Sequence, residues 1–420
     1  MRAAPAAHAL TLALAVLAGL IAAMAPPAAR AASEEFSTFS VEREEEDDES
    51  ALDHLLTRTP REWRQAWETA PLAFRTSEGC LTSGQWFEVD DLKLQTELGA
   101  RARFAVQLAR VHDNSISYDD LALQFRFPIR AGLVSVDFHP SYDKSRQDFA
   151  LAWETGADSA RFHLLARFMI EDMLNNLWAW RQTRVGNQSE PYLRHPYVPE
   201  VQMAWHGTPW RAEAGARYLT PSEKQVLGYN SFSPPRIQTL WGTFAWTALE
   251  WDEGATHVEV RGSDRQALGT DQELDLPPAD HHDFRREWSG EAMIGRRLGG
   301  RLRALARWIY QSRTEIYGPP VGPGRFEGLD RIAQLELARD LAPGWALRAG
   351  ALYDRIGFAH EGSTLYASEQ RDKESRAYIG LMARFGRVSV EGIEGIELDR
   401  EPYQVVFHHD KGFLKLQASF

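Results

Sequence analysis

The chain has 420 residues, a formal net charge of −12 at pH 7 and one cysteine, Cys80. The acidic balance argues against nucleic acid as a partner. A single cysteine excludes an intrachain disulfide, a cysteine-based zinc site and a c-type haem attachment motif.

The first residues have the pattern of an export signal. Arg2 precedes an apolar run over residues 9–23, and Ala29-Arg30-Ala31 supplies small residues for a peptidase. A membrane anchor is the alternative, but the run is shorter than the about 20 apolar residues that a spanning helix needs. We predict a signal peptide over residues 1–31, cleaved near Ala31. No later apolar run is long enough for a helical span, so strands would have to carry the chain across a membrane.

Residues 32–71 are predicted to form an acidic leader that ends in a short helix. The stretch from Ser33 to Ser50 is rich in acidic side chains, whose mutual repulsion opposes a folded core. A solvated tail is favoured over a calcium site, because nothing fixes ligands in a loop. Such a tail is also a candidate docking segment for a periplasmic partner.

A helix start follows the acidic run. Thr59-Pro60-Arg61-Glu62 combines a capping residue, an early proline and a glutamate, and predicts a helix to about Thr69. Trp63 and Trp67 are four residues apart and share one face of this helix. We predict that this face docks at the mouth of the following domain or enters its interior as a plug.

From residue 72 to residue 420 the sequence has the texture of strands and turns. Apolar residues recur at every second position, which is the period of a strand with one apolar face and excludes the 3.6 period of a helix. The pattern is clearest at Leu121, Leu123, Phe125, Phe127 and Ile129, and again at Leu302, Ala304, Ala306, Trp308 and Tyr310.

Short and long connections alternate along this region, which is typical of tight periplasmic turns and long extracellular loops. Eight tight turns are predicted, and they imply 18 strands if residues 72–76 form a first strand and Tyr403 to Phe420 a last one. A turn at Asp410-Lys411-Gly412 is the alternative, so we predict 16 to 18 strands. The tight turns fall near Gly99, Arg130 to Gly132, Gly156 to Asp158, Gly207 to Pro209, Asp252 to Gly254, Gly299 with Gly300, Leu341 to Gly344, and Gly386. The longer connections are predicted at about 172–198, 220–237, 264–285, 313–328 and 358–375.

The C-terminal segment has a specific pattern. Leu414 and Leu416 alternate with polar residues, and the chain ends at Phe420. This segment resembles the assembly signal of Gram-negative outer-membrane β-barrel proteins. The resemblance implies an all-β fold: a transmembrane antiparallel barrel of 16 to 18 strands over residues 72–420, with a short N-terminal periplasmic helical segment. It also implies a bacterial outer-membrane location, contact with outer-membrane lipid and recognition by the barrel assembly machinery. A soluble β-sandwich or propeller is the alternative, and it would not combine this loop pattern with a terminal Phe.

The residues that alternate with the apolar ones along each strand are predicted to face the barrel lumen. They carry charges of both signs, which either line an aqueous channel or pair with one another and fill the space. The predicted lumen residues are Arg103, Arg126, Asp137, Glu154, Arg167, Glu213, Arg217, Glu259, Arg303, Arg307, Glu336 and Arg348.

A polar lumen favours a porin-like channel for small polar solutes. Arg303 and Arg307 are predicted to favour anionic solutes. The alternative is a barrel without transport: a scaffold that houses a partner, a component of an exporter, or a hydrolase with its site at the outer rim.

No catalytic motif, cofactor or metal site is predicted. The sequence lacks the Gly-x-Ser-x-Gly, His-Glu-x-x-His, Cys-x-x-Cys and phosphate-loop patterns. His281-His282-Asp283 and His408-His409-Asp410 look like metal ligands. Neighbouring residues on a strand point to opposite faces, so we interpret both as loop or strand-end residues.

Overall fold

The computed structural model describes part of the chain, and the predicted signal peptide, the acidic leader and Trp63 lie outside it. No helix in the described part is long and apolar enough to span a membrane. The described residues are 66–67, 70–80, 86–98, 102–113, 117–139, 147–155, 161–171, 192–226, 236–273, 283–317, 324–361, 368–398 and 411–420.

Nineteen strands make up the described fold. Their outward and inward faces follow the two-residue period of the sequence. In chain order they are β1 (Leu72–Cys80), β2 (Trp86–Leu98), β3 (Ala102–Asp113), β4 (Ser117–Ile129), β5 (Gly132–Phe138), β6 (Gln147–Glu154), β7 (Phe162–Glu171), β8 (Tyr192–Arg194), β9 (Tyr197–His206), β10 (Trp210–Val226), β11 (Arg236–Glu253), β12 (Thr256–Glu273), β13 (Asp283–Arg297), β14 (Leu302–Tyr317), β15 (Gly324–Ala342), β16 (Trp345–Glu361), β17 (Ser368–Phe385), β18 (Val388–Glu397) and β19 (Lys411–Ser419).

The strands form a single closed antiparallel barrel. Each strand pairs with its neighbours in the chain, and β1 closes the sheet by pairing with β19 as well as with β2. The short strand β8 and the strand β9 both pair with β10, so they are two parts of one wall strand. The barrel therefore has 18 wall strands, which confirms the predicted all-β antiparallel barrel and lies within the predicted number of 16 to 18.

The first and last strands meet at their ends. The amide of Phe420 donates a hydrogen bond of 2.8 Å to the carbonyl of Leu72, and the amide of Leu72 donates back over 3.4 Å. The weak sequence pattern at residues 72–76 thus marks a real strand, β1. Strand β19 begins at Lys411, and Gly412 lies within it, so these two residues do not form the alternative hairpin turn.

The predicted tight turns each fall between two paired strands. Six of them are described, and the other two, near Gly99 and Gly156, are bounded by described strands. Gly344 has φ of +79°, and a Cβ there would collide with the carbonyl oxygen of Arg384. Glycine supplies this left-handed turn conformation at little steric cost.

The strands extend further than the sequence predicted, so the predicted limits of the five longer connections were wrong. The predicted connection at 264–285, for example, is strand up to Glu273 and again from Asp283. The strand β9 and its extension β8 likewise begin before residue 198. The reason is physical: antiparallel pairing satisfies the backbone whether or not the side chains are apolar. The polar upper parts of these hairpins therefore have no hydrophobic signal.

Large apolar side chains cover the outside of the barrel. Leu335 is 66% exposed and Leu337 is 53% exposed on β15, while the alternate residues Ile332 and Gln334 are buried. Near the tight turns, the ring of Trp345 meets that of Phe385 edge-on at 5.3 Å. An outward apolar band edged by aromatic rings is the surface expected of a barrel in contact with lipid.

Candidate functional site: the lumen wall

The inward face of the barrel is polar and carries the predicted lumen residues. Strand β9 shows the pattern: Val198, Glu200 and Gln202 are buried, and the residues between them are exposed on the outside. The strand register places all twelve predicted residues on this inward side. They are Arg103, Arg126, Asp137, Glu154, Arg167, Glu213, Arg217, Glu259, Arg303, Arg307, Glu336 and Arg348.

One group of inward charges centres on Glu200, which is 2% exposed. The register places it between Arg167 of β7 and Arg217 of β10. The Glu200 Oε1 to Arg167 Nη1 distance is 3.9 Å, and Arg217 Nη2 approaches Glu200 Oε2 to 2.9 Å. The amide of Gln202 also donates to the Glu200 carboxylate. We call these four residues the Glu200 cluster, in which two cations flank one buried anion.

A second group centres on Arg348 of β16. Its guanidinium pairs with Glu391 of β18 and lies 3.3 Å from Glu336 of β15. The hydroxyl of Tyr378 donates to Glu336 over 2.6 Å and accepts from the amide of Gln334 over 2.8 Å. We call these five residues the Arg348 cluster, in which two anions flank one cation.

The predicted arginine pair near the tight-turn end of the barrel has carboxylate partners. Arg303 lies 2.9 Å from Asp340, and both side chains are nearly half exposed. Arg307 is deeper, with its Nε 3.0 Å from Glu291 and its side chain only 8% exposed. Arg303 therefore faces solvent at the mouth, whereas Arg307 belongs to the packed wall.

The end of the N-terminal segment lies against the inner wall. Trp67 is 5% exposed and packs with Ala70 and the inward Ala73 of β1. Lys93 of β2 donates a hydrogen bond of 2.9 Å to the backbone carbonyl of Trp67. The guanidinium of Arg75 lies 5.1 Å from the centre of the Trp67 ring. Trp67 is thus on the lumen side of the barrel.

The helix predicted over residues 59–69 is not shown. Ala66 and Trp67 are helical, and the amide of Ala70 donates to the carbonyl of Ala66 over 3.2 Å. The other residues of the predicted helix lie outside the described part of the chain, as does its partner tryptophan Trp63. Its role as a plug stays a prediction.

An apolar patch on the inner wall was missed by the sequence reasoning. It runs over β14 to β19 and is almost completely buried, with exposed fractions from 1% to 7%. These six side chains are therefore shielded from solvent by the side chains around them. A parity count on each strand would have found these residues, because each lies at an inward position. The patch consists of Ile309, Ile332, Leu352, Tyr378, Ile393 and Phe413.

Other polar residues of the site were also missed. Glu200, Gln202, Gln334 and Tyr378 are inward and hydrogen-bonded. Glu200 lies between the outward residues Pro199 and Val201, and this alternation is the sequence signal for an inward position. The predicted strand starts only after residue 198, so the alternation before Glu200 is short.

No candidate metal site is found among the residues that the structure describes. Of the two histidine motifs, only Asp283 lies in the described part, at the start of β13. At the C-terminus, Leu414 and Phe420 are exposed on the outside. Leu416 lies on the same face as Leu414 by strand parity.

No protein-family model matches the chain, and no curated protein matches it. Solved structures of outer-membrane proteins do. In-vitro folded OmpT of Vibrio cholerae matches with a TM-score of 0.40 and 9% identity over 83% of this chain and 96% of that chain. OccK5 of Pseudomonas aeruginosa matches with a TM-score of 0.40 and 13% identity over 84% and 96%. An anion-selective porin from Comamonas acidovorans matches with a TM-score of 0.39 and 9% identity over 83% and 97%.

Because the sequence identities of these matches are low, the functions of the matched proteins are not assigned to this chain. The chain is an 18-strand antiparallel β-barrel of the transmembrane type, an assignment that rests on its own closed strand pairing and its outward apolar surface.

Proposed function

We propose that the protein is a porin-like channel for small polar solutes in a bacterial outer membrane. One observation carries the proposal: the inward face of an 18-strand barrel holds charged and amide side chains, as in the Glu200 and Arg348 clusters. A barrel of 16 to 18 strands is wide enough for an aqueous channel. Charged groups on its wall select solutes by sign and hydrogen-bonding capacity.

The proposed channel is narrow. Trp67 lies on one part of the inner wall, and the apolar patch on β14 to β19 is closed to solvent. Solutes would then pass beside the charged clusters and not through a wide pore. Small polar molecules fit this space better than large ones.

The route to the membrane is part of the proposal. The signal peptide of residues 1–31 would be removed near Ala31 after export. The terminal strand β19 with Phe420 would be recognised by the barrel assembly machinery. The acidic stretch from Ser33 to Ser50 would remain on the periplasmic side, where it would bind a partner.

Single-channel recording tests this function. Purified, refolded protein would be placed in a planar bilayer, with and without residues 33–71. Steady ohmic steps that grow on deletion are the expected result, since the deletion removes Trp67 from the wall. Heat-modifiable migration on a gel would show that both proteins are folded barrels.

A second candidate function has its own support. The buried apolar patch from Ile309 to Phe413 favours a lumen that is filled, as in a scaffold or exporter component. Silence from both folded proteins in the bilayer would contradict the channel. It would leave a partner-filled scaffold, an exporter component or a rim-site hydrolase as the function.

A further inference from the structure

Three basic residues stand side by side on the outside of the barrel. In the strand register, Arg331 of β15 is directly opposite Arg355 of β16, and Arg355 is directly opposite Lys373 of β17. Arg331 and its strand neighbours Leu335 and Leu337 share the outward face, since the inward positions of β15 are Ile332 and Gln334. We call these three residues the outer basic row.

Arg331 and Arg355 face each other on neighbouring strands with like charges. Like charges directly opposite each other on a sheet destabilise it. Neither Arg331 nor Arg355 forms an ion pair with any residue that the structure describes. In the described strands around Arg331 and Arg355, the adjoining outward positions carry no carboxylate; they include Ser312, Leu329, Ala333, Tyr353, Gly357 and Ser375.

The arginines inside the barrel differ from Arg331 and Arg355, because they have carboxylate partners. Arg167, Arg217, Arg307 and Arg348 each have a carboxylate within 4 Å on a neighbouring strand. Arg286, which is on the outside of β13, pairs with Asp264 over 2.8 Å. Arg331 and Arg355 are therefore neighbouring outward cations that have no carboxylate partner among the described residues.

The position of the row agrees with the edge of a membrane. From Trp345 to Arg355 the strand β16 climbs about 25 Å along the barrel axis, at about 3.3 Å per residue and a tilt of about 40°. The apolar band of outer-membrane barrels is about 25 Å tall. Trp345 lies beside a tight turn, so Arg355 is at the opposite, outer boundary of the band.

Aromatic residues lie immediately below and beside the row. Trp308 and Tyr353 occupy the outward positions one step nearer the membrane centre and are 50% and 43% exposed. Tyr310 is directly opposite Arg331, whose guanidinium is 5.9 Å from the ring centre. Aromatic rings at this level are typical of the boundary between acyl chains and headgroups.

We propose that the outer basic row is a binding site for the phosphate group of an outer-leaflet lipid. The aromatic residues would contact the acyl chains, and the guanidinium groups of Arg331 and Arg355 would donate charge-assisted hydrogen bonds to the phosphate. An anion held there also removes the repulsion within the row. The site is on the outer wall and is independent of the lumen.

Equilibrium binding to the full barrel in detergent tests the site. The probe is diphosphoryl lipid A, with native mass spectrometry to count bound molecules and a titration to obtain affinity. Replacing both arginines, Arg331→Gln with Arg355→Gln, is expected to weaken binding at least about 30-fold, since each charge-assisted hydrogen bond contributes about tenfold or more. The matched control is Arg286→Gln, which removes an outward cation that already has a carboxylate partner. It is expected to change affinity by less than about threefold.

Three results would overturn the proposal. The first is equal lipid A affinity for the double variant and the unmodified barrel, both shown to be folded by heat-modifiable migration. The second is an equal loss of affinity with Arg286→Gln, which would assign binding to overall charge. The third is equally tight binding of inorganic phosphate alone, which would mean that the row is an anion site without a lipid.

Discussion

Lys93 of the barrel wall donates a hydrogen bond of 2.9 Å to the backbone carbonyl of Trp67, so a side chain of β2 holds the N-terminal segment inside the lumen. The lysine side chain is nearly buried, and Arg75 covers the tryptophan ring from the neighbouring strand. The attachment therefore includes a hydrogen bond and a cation–π contact.

Loosening this attachment should widen the channel. Lys93→Met keeps the length of the side chain but removes its donor, and Trp67→Ala removes the ring. We expect unitary conductance to rise in both variants and most in the double variant, as measured in a planar bilayer. Arg339→Met, an outward change near the periplasmic edge, is the control and should leave conductance as it is. Unaltered conductance in the double variant would show that Trp67 does not narrow the ion path.

Neutralising the predicted arginine pair should shift ion selectivity toward cations. Arg303→Gln is expected to act more strongly than Arg307→Gln, because Arg303 is exposed at the mouth and Arg307 is paired in the wall. The measurement is the reversal potential in a potassium chloride gradient, with outward Arg339→Gln as the control. Reversal potentials that stay the same in the double variant would remove these residues from the selectivity mechanism.

Removing the central anion of the Glu200 cluster should destabilise the barrel. Glu200→Gln removes the carboxylate that lies between Arg167 and Arg217. Breaking a buried pair of this kind costs about 3 to 5 kcal/mol. The urea midpoint of unfolding, followed by heat-modifiable migration, should fall. The exposed Glu253→Gln is the matched control. Adding Arg217→Gln should restore part of the loss; a double variant as unstable as Glu200→Gln would contradict the cluster argument.

A methyl group at Gly350 should disrupt the Arg348 cluster. A Cβ there would collide with the ring and hydroxyl of Tyr378 and with the backbone carbonyl oxygen of Leu335. Moving the ring breaks its bonds to Glu336 and Gln334, and overpacking of this kind costs about 1 to 3 kcal/mol. Gly357→Ala on the same strand is the control, because its nearest contact is 4.0 Å away. Equal unfolding midpoints for the two variants would show that the ring adjusts freely.

Phe420→Ala should impair assembly in the cell without lowering the stability of the folded barrel. The hydrogen bonds between Phe420 and Leu72 use the backbone, so the refolded variant should unfold like the parent. If the side chain is the assembly signal, the amount of folded barrel in cell membranes should fall severalfold. Normal amounts in the membrane would argue that the machinery reads other features of β19.

The architecture could be predicted from the sequence because it depends on local patterns. The alternation at Leu121 to Ile129, and the glycines at the tight turns, set the strand faces and the turn positions. The extent of the strands could not be predicted in the same way. Residues such as Asp264 and Arg286 have no apolar period, and they extend the hairpins because the partner strand is present.

The candidate site was predicted only in outline. Parity placed Arg167, Arg217 and Arg348 on the inward side, but the pairing of each arginine with a particular carboxylate depends on the register of neighbouring strands. The contact of Trp67 with Lys93 joins residues 26 positions apart in the sequence. Neither relation has a signature in one segment of sequence.

The seam between β1 and β19 imposes an order on the folding of this chain. Ala73 pairs with Ser419, so one edge of the first strand has no partner until the last residues have been synthesised. Joining positions so far apart costs about 5 kcal/mol of loop-closure entropy in addition to a constant. An unpaired edge is also a template for aggregation. The completed chain must therefore be kept apart from other unfolded chains until its first and last strands have met. Closure of the seam between β1 and β19 is then the folding step that most requires assistance from other proteins.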